Sequence, residues 1–483
     1  MASQSAIAEG GSVVTSDQIN YEQKMFSHPS YVFEPQFPNT FGQAIVLGTS
    51  QSPSTINIPP LVFNWAPTLM LYTMTLPAAP AGNFTWYALQ ALSAISHIQY
   101  YAGSNMWIVD VDNLQNYLDI LLKKEQSQDQ FLSNDLTLTQ IGQNNCLINV
   151  IPALRNSNNL STANNGLAAN PSSVNYLEPA YFNVSQVNAA VTVNVQFPMR
   201  LIKNTAFAID KDMYYGQTTY LKAYFGPLSK IAYISTSNAN PSAGNKSSYA
   251  VAGAQITNFQ IMLAVENNQD LKQMIMNKVV NGGLSYLIPY VQAFKNNNSG
   301  GGQNISIQLD QGNGRSLMKV YHAVYNSQED LDTMYDHANC GTIAGVSDTA
   351  ATVAGATNQK VLSYYTQLNG KRSQDINIDC TSYSGTPFLD YMSHKRQLRG
   401  SILSNANVYQ YNWFHCDDWS DFGPRYDQDN QGELISGIPM SVSPLTWSFV
   451  GVTMRPANNA FQHYTWFIFV KKLTMTSGTV LVQ

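Results

Sequence analysis

Charge is scarce in this sequence. Asp, Glu, Lys and Arg together make 11% of its 483 residues, against about a quarter in an ordinary globular chain. Asn, Gln, Ser and Thr carry the polar share instead. Such a surface suits extensive protein–protein packing, because burying an amide or hydroxyl costs less than burying a charge. The net charge of −5 excludes attraction of the whole surface to nucleic acid, so no direct sequence-specific nucleic-acid binding is expected. One basic cluster, Lys395, Arg396 and Arg399 in "HKRQLRG" (394–400), reads as a solvated or subunit-facing patch.

Long apolar runs are missing too. Nowhere do 18 apolar residues follow one another, so no membrane span is expected. The opening "MASQSAIAEGGSVVTSDQ" has neither a basic n-region nor an apolar h-region, so no signal peptide is expected. The four cysteines, Cys146, Cys340, Cys380 and Cys416, are widely scattered and are read as reduced thiols.

Helical patterns are few. "DNLQNYLDILLKKEQ" (112–126) spaces Leu114, Leu118, Leu121 and Leu122 on one face, and "NNQDLKQMIMNKVV" (267–280) does the same with Leu271, Ile275 and Val279 before Gly282-Gly283. Most of the remainder is β. Short runs rich in β-branched and aromatic residues alternate with Gly, Pro and Asn, among them "LMLYTMTL" (69–76), "ITNFQIMLAV" (256–265) and "YTWFIFVKKLTM" (464–475).

The chain repeats a pattern. "ISHIQYYAGSNMWIVDV" (95–111) and "VLSYYTQLNGKRSQDINID" (361–379) are both an aromatic strand, a Gly turn and a further strand, the second turn being Asn369-Gly370, a strong hairpin signal. Each half then closes on paired apolar strands: "TYLKAYF" with "ITNFQIMLAV", and "WSFVGVTM" with "YTWFIFVKKLTM". Apolar residues reach 44%, enough for separate cores in a chain of this length. Long neutral stretches at 155–173, 336–359 and 404–436 read as loops.

The chemically richest stretch is "WFHCDDWSDFGPRYDQDN" (413–430). His415 and Cys416 are adjacent, so on a strand they point to opposite faces and do not make a zinc pair. Asp427, Asp429 and Gly432 match positions one, three and six of a calcium-binding EF-hand loop. Position five is Gln431 and position twelve, where a bidentate Glu is required, is Ile438. An activated cysteine needs a histidine converging in space, and adjacency does not supply it. A metalloenzyme using His415, Cys416 and the aspartates is therefore weighed and set aside: no catalytic, cofactor-binding or metal-ligating set is assigned. The aspartates read as keeping a loop wet, with Trp413, Phe414 and Trp419 anchoring it.

The order of these features resembles the double jelly-roll major capsid proteins of tailless icosahedral DNA viruses: adenoviruses, Polinton-like viruses, virophages and large DNA viruses. The resembling pieces are "LMLYTMTLP", "AISHIQYYAGSNMWIVDVDNLQNYLDILLKK", "VQFPMRLIKNTAFAIDKDMYYGQTTYLKAYFG", "ITNFQIMLAVENNQDLKQMI", "YYTQLNGKRSQDINID" and "WFIFVKKLTMTSGTVLVQ". The resemblance implies an all-β chain of two consecutive eight-stranded jelly-roll β-sandwiches joined by a short helix, with few helices in loops. Its expected divisions are an N-terminal arm (1–33), a first jelly-roll (34–266), a linker helix (267–280) and a second jelly-roll (281–483). It implies a non-enzymatic structural protein of the virion, homotrimeric, forming pseudo-hexameric capsomers that tile an icosahedral shell. Its expected partners are neighbouring capsomers, penton and minor or cement capsid proteins, and an internal membrane reached by the arm. The alternative is a carbohydrate- or receptor-binding β-sandwich protein of a viral surface, with Trp86, Trp107, Trp413 and Trp419 as sugar-stacking candidates.

Overall fold

The computed structural model describes residues 31–47, 53–76, 84–88, 94–103, 106–124, 139–141, 146–147, 181–184, 191–226, 232–235, 246–248, 253–298, 304–309, 316–326, 342–343, 360–379, 415–419, 437–439, 445–454 and 461–483. Residues 1–30 of the arm expected at 1–33, the loop at 155–173, the cluster at 394–400 and residues 413 and 414 lie outside them; the last three residues of that arm, 31–33, belong instead to a strand.

Eight strands build the first half: β1 (Tyr31–Gln36), β2 (Ser54–Ile58), β3 (Phe63–Leu76), β4 (Ile95–Ala102), β5 (Met106–Asp112), β6 (Val191–Pro198), β7 (Thr219–Phe225) and β8 (Gln255–Glu266). Sheet one runs β1-β8-β3-β6 and continues past β6 to the short strands Thr139–Ile141 and Cys146–Leu147; sheet two runs β2-β7-β4-β5. The second half has β9 (Leu284–Asn298), β10 (Asn304–Leu309), β11 (Ser316–Asn326), β12 (Lys360–Leu368), β13 (two pieces, Lys371–Arg372 and Ile378–Asp379), β14 (His415–Asp418), β15 (Leu445–Met454) and β16 (Phe461–Thr476). Sheet three runs β9-β16-β11-β14. Sheet four runs β10-β15-β12, with β13 and the short parallel strand Thr342–Ile343 both paired to β12. In both halves the strands visit the two sheets in one sequence: first, second, first, second, second, first, second, first. That path is a jelly-roll, made twice.

Alternation explains the layers. In β8, Phe259, Ile261 and Leu263 are buried while Gln260 and Met262 between them are half-buried, as a period of two requires. The pairing of β8 with β3 shifts register between Thr257 and Gln260, where Asn258 takes a φ of 55°, a bulge that Asn tolerates. The hairpin between β12 and β13 has φ of 51° at Asn369 and 76° at Gly370, the doubly positive turn that matches strand twist.

Two helices matter for the joint. α1 (Leu114–Lys124) buries Leu114, Tyr117, Leu118 and Leu121. α2 (Gln269–Gly282) runs from β8 towards β9, capped by Asn268, whose side chain accepts from the amides of Asp270 and Leu271, and buries Leu271, Ile275 and Val279. At the opposite end of β8, three connections of the first jelly-roll contribute a separate four-stranded sheet: Phe84–Ala88, Tyr181–Val184, and the pair Ala232–Ser235 with Lys246–Ser248.

The halves share one continuous apolar core. Tyr117 of α1 packs on Tyr321 and Trp466 of sheet three, with ring centroids 6.4 and 5.8 Å apart. The Tyr286 hydroxyl donates to the Asp212 carbonyl at 2.9 Å. Gly216, at φ 66°, is held where a Cβ would stand 3.2 Å from the Gly478 nitrogen and 3.3 Å from the Thr476 oxygen; both the backbone conformation and the close approach call for glycine there.

Candidate functional site

"HCDD" is a strand. β14 pairs with β11, placing His415 opposite His322 and Cys416 opposite Tyr321. Alternation sends His415 and Asp417 to one face and Cys416 to the other. All three are buried. This overturns the reading of 404–436 as one continuous loop and of Asp417 as a solvating group; Asp421, Asp427 and Asp429 lie outside the described residues. Asp417, at 1% exposure, is held dry by three donors. Its Oδ1 lies 3.0 Å from His415 Nε2 and accepts from the Thr366 hydroxyl at 3.3 Å. Its Oδ2 accepts the Trp447 indole N–H at 2.8 Å. A buried carboxylate is tolerated only with such a full set of partners.

A second polar chain lies beside it. His322 Nδ1 shares a hydrogen bond with the Thr465 hydroxyl at 2.9 Å, and its Nε2 lies 3.3 Å from His463 Nδ1. Phe449 stacks on His322 at 4.4 Å and Trp447 covers it at 5.4 Å. Burial pushes both imidazoles down, His463 to about 3. His322 is lowered well below its ordinary value by burial first and then by repulsion from His463 and His415. Both are neutral near pH 7. On the other face of sheet three, Lys319 meets Asp418 at 3.8 Å.

A His–Asp pair beside hydroxyls has the parts of a nucleophile-activating arrangement. Here the two hydroxyls belong to Thr366 and Thr465, both fully buried and both engaged in holding the cluster. Phe449 and Trp447 pack over His322. The cluster fixes β14 and β15 against β11, β12 and β16. Among the described residues no three His, Cys, Asp or Glu side chains are grouped to hold a metal ion. Cys416 is buried and takes part in no disulfide. Ile438 pairs with Leu317 of β11, while 427–436 lie outside the described residues.

The tryptophans divide. Trp419 is half-buried, packs on the core, and its amide donates to the Met318 carbonyl at 2.9 Å. Trp107 lies half-buried on β5 against Tyr101 at 4.9 Å, and Tyr101 in turn carries Tyr220 at 5.1 Å and the Lys222 ammonium at 4.8 Å. Trp86 sits on the strand Phe84–Ala88.

Exposed large apolar side chains gather along one edge. Val32, Phe33, Phe37, Phe41 and Val46 are each more than 40% exposed. They line β1 and the segment that follows it to Ile45–Val46, a short strand that also pairs with β8.

No protein-family model matches the chain, and no curated protein matches it. Solved structures do. The Faustovirus major capsid protein matches with a TM-score of 0.52 at 11% identity, over 92% of this chain and 90% of that one. The PBCV-1 virus capsid matches at 0.49 and 12%, over 94% and 98%, and the mavirus major capsid protein at 0.45 and 10%, over 95% and 90%. The full-length Faustovirus likeness and the doubled strand path agree. This chain has the double jelly-roll fold. Within it, the Asp417–histidine cluster is the polar centre of the second jelly-roll, and the open apolar edge belongs to the first strand of the first jelly-roll.

Proposed function

We propose that this chain is a major capsid protein: a non-enzymatic building block that homotrimerises into pseudo-hexameric capsomers and tiles the icosahedral shell of a virion. The observation that carries this reading is the repeated jelly-roll. One chain holds two sandwiches of identical strand path locked by a continuous core, so three chains supply six similar walls. The charge-poor surface and the exposed apolar side chains along β1 support burial in large subunit contacts.

In this reading the first jelly-roll runs from Tyr31, where β1 begins, to 266, 281–483 are the second, 267–280 joins them, and 1–30 form an arm. The four-stranded sheet at one end is an outward tower and α2 lies at the shell's inner side. Neighbouring capsomers, penton and minor or cement proteins are its partners, and the arm reaches towards them or towards an internal membrane. Light scattering on the purified chain at micromolar concentration is expected to give three times the 53.4 kDa of one chain; a stable mass of one chain would overturn the reading.

A further inference from the structure

The two jelly-rolls repeat a strand path but not a surface. On sheet two, Ile98, Tyr100, Leu221 and Ala223 fill the inner face, so the residues alternating with them point outwards. The register lays these out in rows. One row is Asn57, Tyr220, Tyr101 and Trp107, from β2, β7, β4 and β5 in turn. The next is Thr55, Lys222, Gln99 and Asp110, followed by Tyr224 and His97. On the outer face of sheet four, a row across β10, β15, β12 and β13 reads Ser306, Ser448, Gln367 and Arg372. The fold therefore does not require aromatic rings on such a face. Sheet two carries three side by side.

Ring centroids step 5.1 Å from Tyr220 to Tyr101 and 4.9 Å on to Trp107. All three residues are half-buried, so part of each meets solvent. A fixed polar row lies beside them. Asp110 Oδ1 lies 2.5 Å from His97 Nε2 and accepts from Gln99 Nε2 at 3.1 Å. The Tyr224 hydroxyl donates to Gln99 Oε1 at 3.1 Å, and His97 stacks on the Tyr224 ring at 4.9 Å. Among the described residues both partners of Asp110 meet Oδ1, which leaves Oδ2, on a side chain 35% exposed, as an open acceptor. The Lys222 ammonium, 4.8 Å from the Tyr101 ring centroid, and the exposed Asn57 amide add donors.

We propose that the outer face of sheet two binds a neutral oligosaccharide, its sugar rings lying along Tyr220, Tyr101 and Trp107 and its hydroxyls meeting Asp110, Lys222 and Asn57. A pyranose has an apolar C–H face and a rim of hydroxyls that both donate and accept. The aromatic row complements the first and the polar row the second. Other occupants fit worse. Asp110 and the exposed Asp112 repel phosphate and sulfate groups. A protein partner would bury Lys222 and Asp110 at the centre of its contact, where Lys and Asp are depleted. This site is independent of the shell-building reading.

The test titrates cellohexaose, chitohexaose and mannohexaose into the full chain by calorimetry, with heparin as the anionic comparison and light scattering to read mass. At least one neutral hexasaccharide is expected to bind. Trp107→Ala is expected to weaken it by at least about 10-fold, as loss of an anchor does. Tyr365→Ala, on the outer face of sheet four, is expected to leave binding unchanged. Circular dichroism checks that each variant folds. If Trp107→Ala does not, Asp110→Asn replaces it, with an expected loss of about 5-fold. No binding of any of the three at millimolar concentration, binding of heparin alone, or an equal loss in Tyr365→Ala would overturn the assignment, as would full binding by the Trp107 or Asp110 variant. A folded Trp107→Ala chain that no longer self-associates would also overturn it, because the aromatic row would then be a subunit contact. A wild-type chain of single mass that binds a hexasaccharide through Trp107 would sink the shell-building reading and leave this site standing.

Discussion

Asp417→Ala is expected to lower the stability of the folded chain by about 3–5 kcal/mol, the usual cost of removing one partner from a buried charged network. The residue is surrounded by groups selected for its carboxylate. Trp447 aims its indole N–H at one oxygen, and His415 and Thr366 meet the other. Without the carboxylate the Trp447 indole N–H and His415 stay buried and lose this partner, which costs about 1–3 kcal/mol for each group left unpaired, while the Thr366 hydroxyl keeps Gln374 Oε1 at 3.3 Å. The loss falls on β14, β15 and β12 together, since each contributes a member. Urea unfolding followed by tryptophan fluorescence reads it as a fall in midpoint, and Asp417→Asn, which keeps an acceptor oxygen, should fall less. A midpoint unchanged in Asp417→Ala would show that the cluster does not hold the second jelly-roll together.

The second large effect is with acid. His322 and His463 are buried neutral, with folded pKa values below the usual 6.5. The unfolded chain therefore binds protons that the folded chain refuses. Their contribution is fully present above pH 6.5 and is lost as pH falls towards the folded value, about 3 for His463. The slope is about 1.4 kcal/mol per pH unit for each histidine. The groups facing them are His415, Thr465, Phe449 and Trp447, with Asp417 held by its own three donors. Between pH 6.5 and 5 ordinary carboxylates stay charged, and the difference in slope between the parent and a histidine variant reads that imidazole's share. His463→Asn is expected to flatten the slope by roughly half in a series of urea midpoints. A slope identical in the variant and the parent would rule out these imidazoles as its source.

Much of this fold is legible in the sequence, for a physical reason. Half-buried strands show their period, so "ITNFQIMLAV" and "YTWFIFVKKLTM" read directly as β8 and β16. The repeat was readable where a turn forces its residues, as at Asn369-Gly370, and the segments matched by pattern, 95–111 and 361–379, are the equivalent β4–β5 and β12–β13. β14 was not readable. Four residues with two aspartates carry no strand signal, and what makes them a strand is long-range: Trp447, Thr366 and His322 supply partners from 30, 51 and 93 positions away in the chain. The aspartates looked wet because a carboxylate's ordinary place is in water. The open edge of β1 was missed for another reason. "YVFEPQF" is apolar on both sides of the strand, so alternation does not announce it, and only the register with β8 shows which residues remain uncovered.

The central claim is that two jelly-rolls in one chain serve to make six in a ring. Electron micrographs of the purified chain, sorted into class averages, test it most directly. The account predicts top views with three-fold symmetry and six lobes of near-equal size. Class averages dominated by single two-lobed particles, at a concentration where the chain is folded, would contradict it.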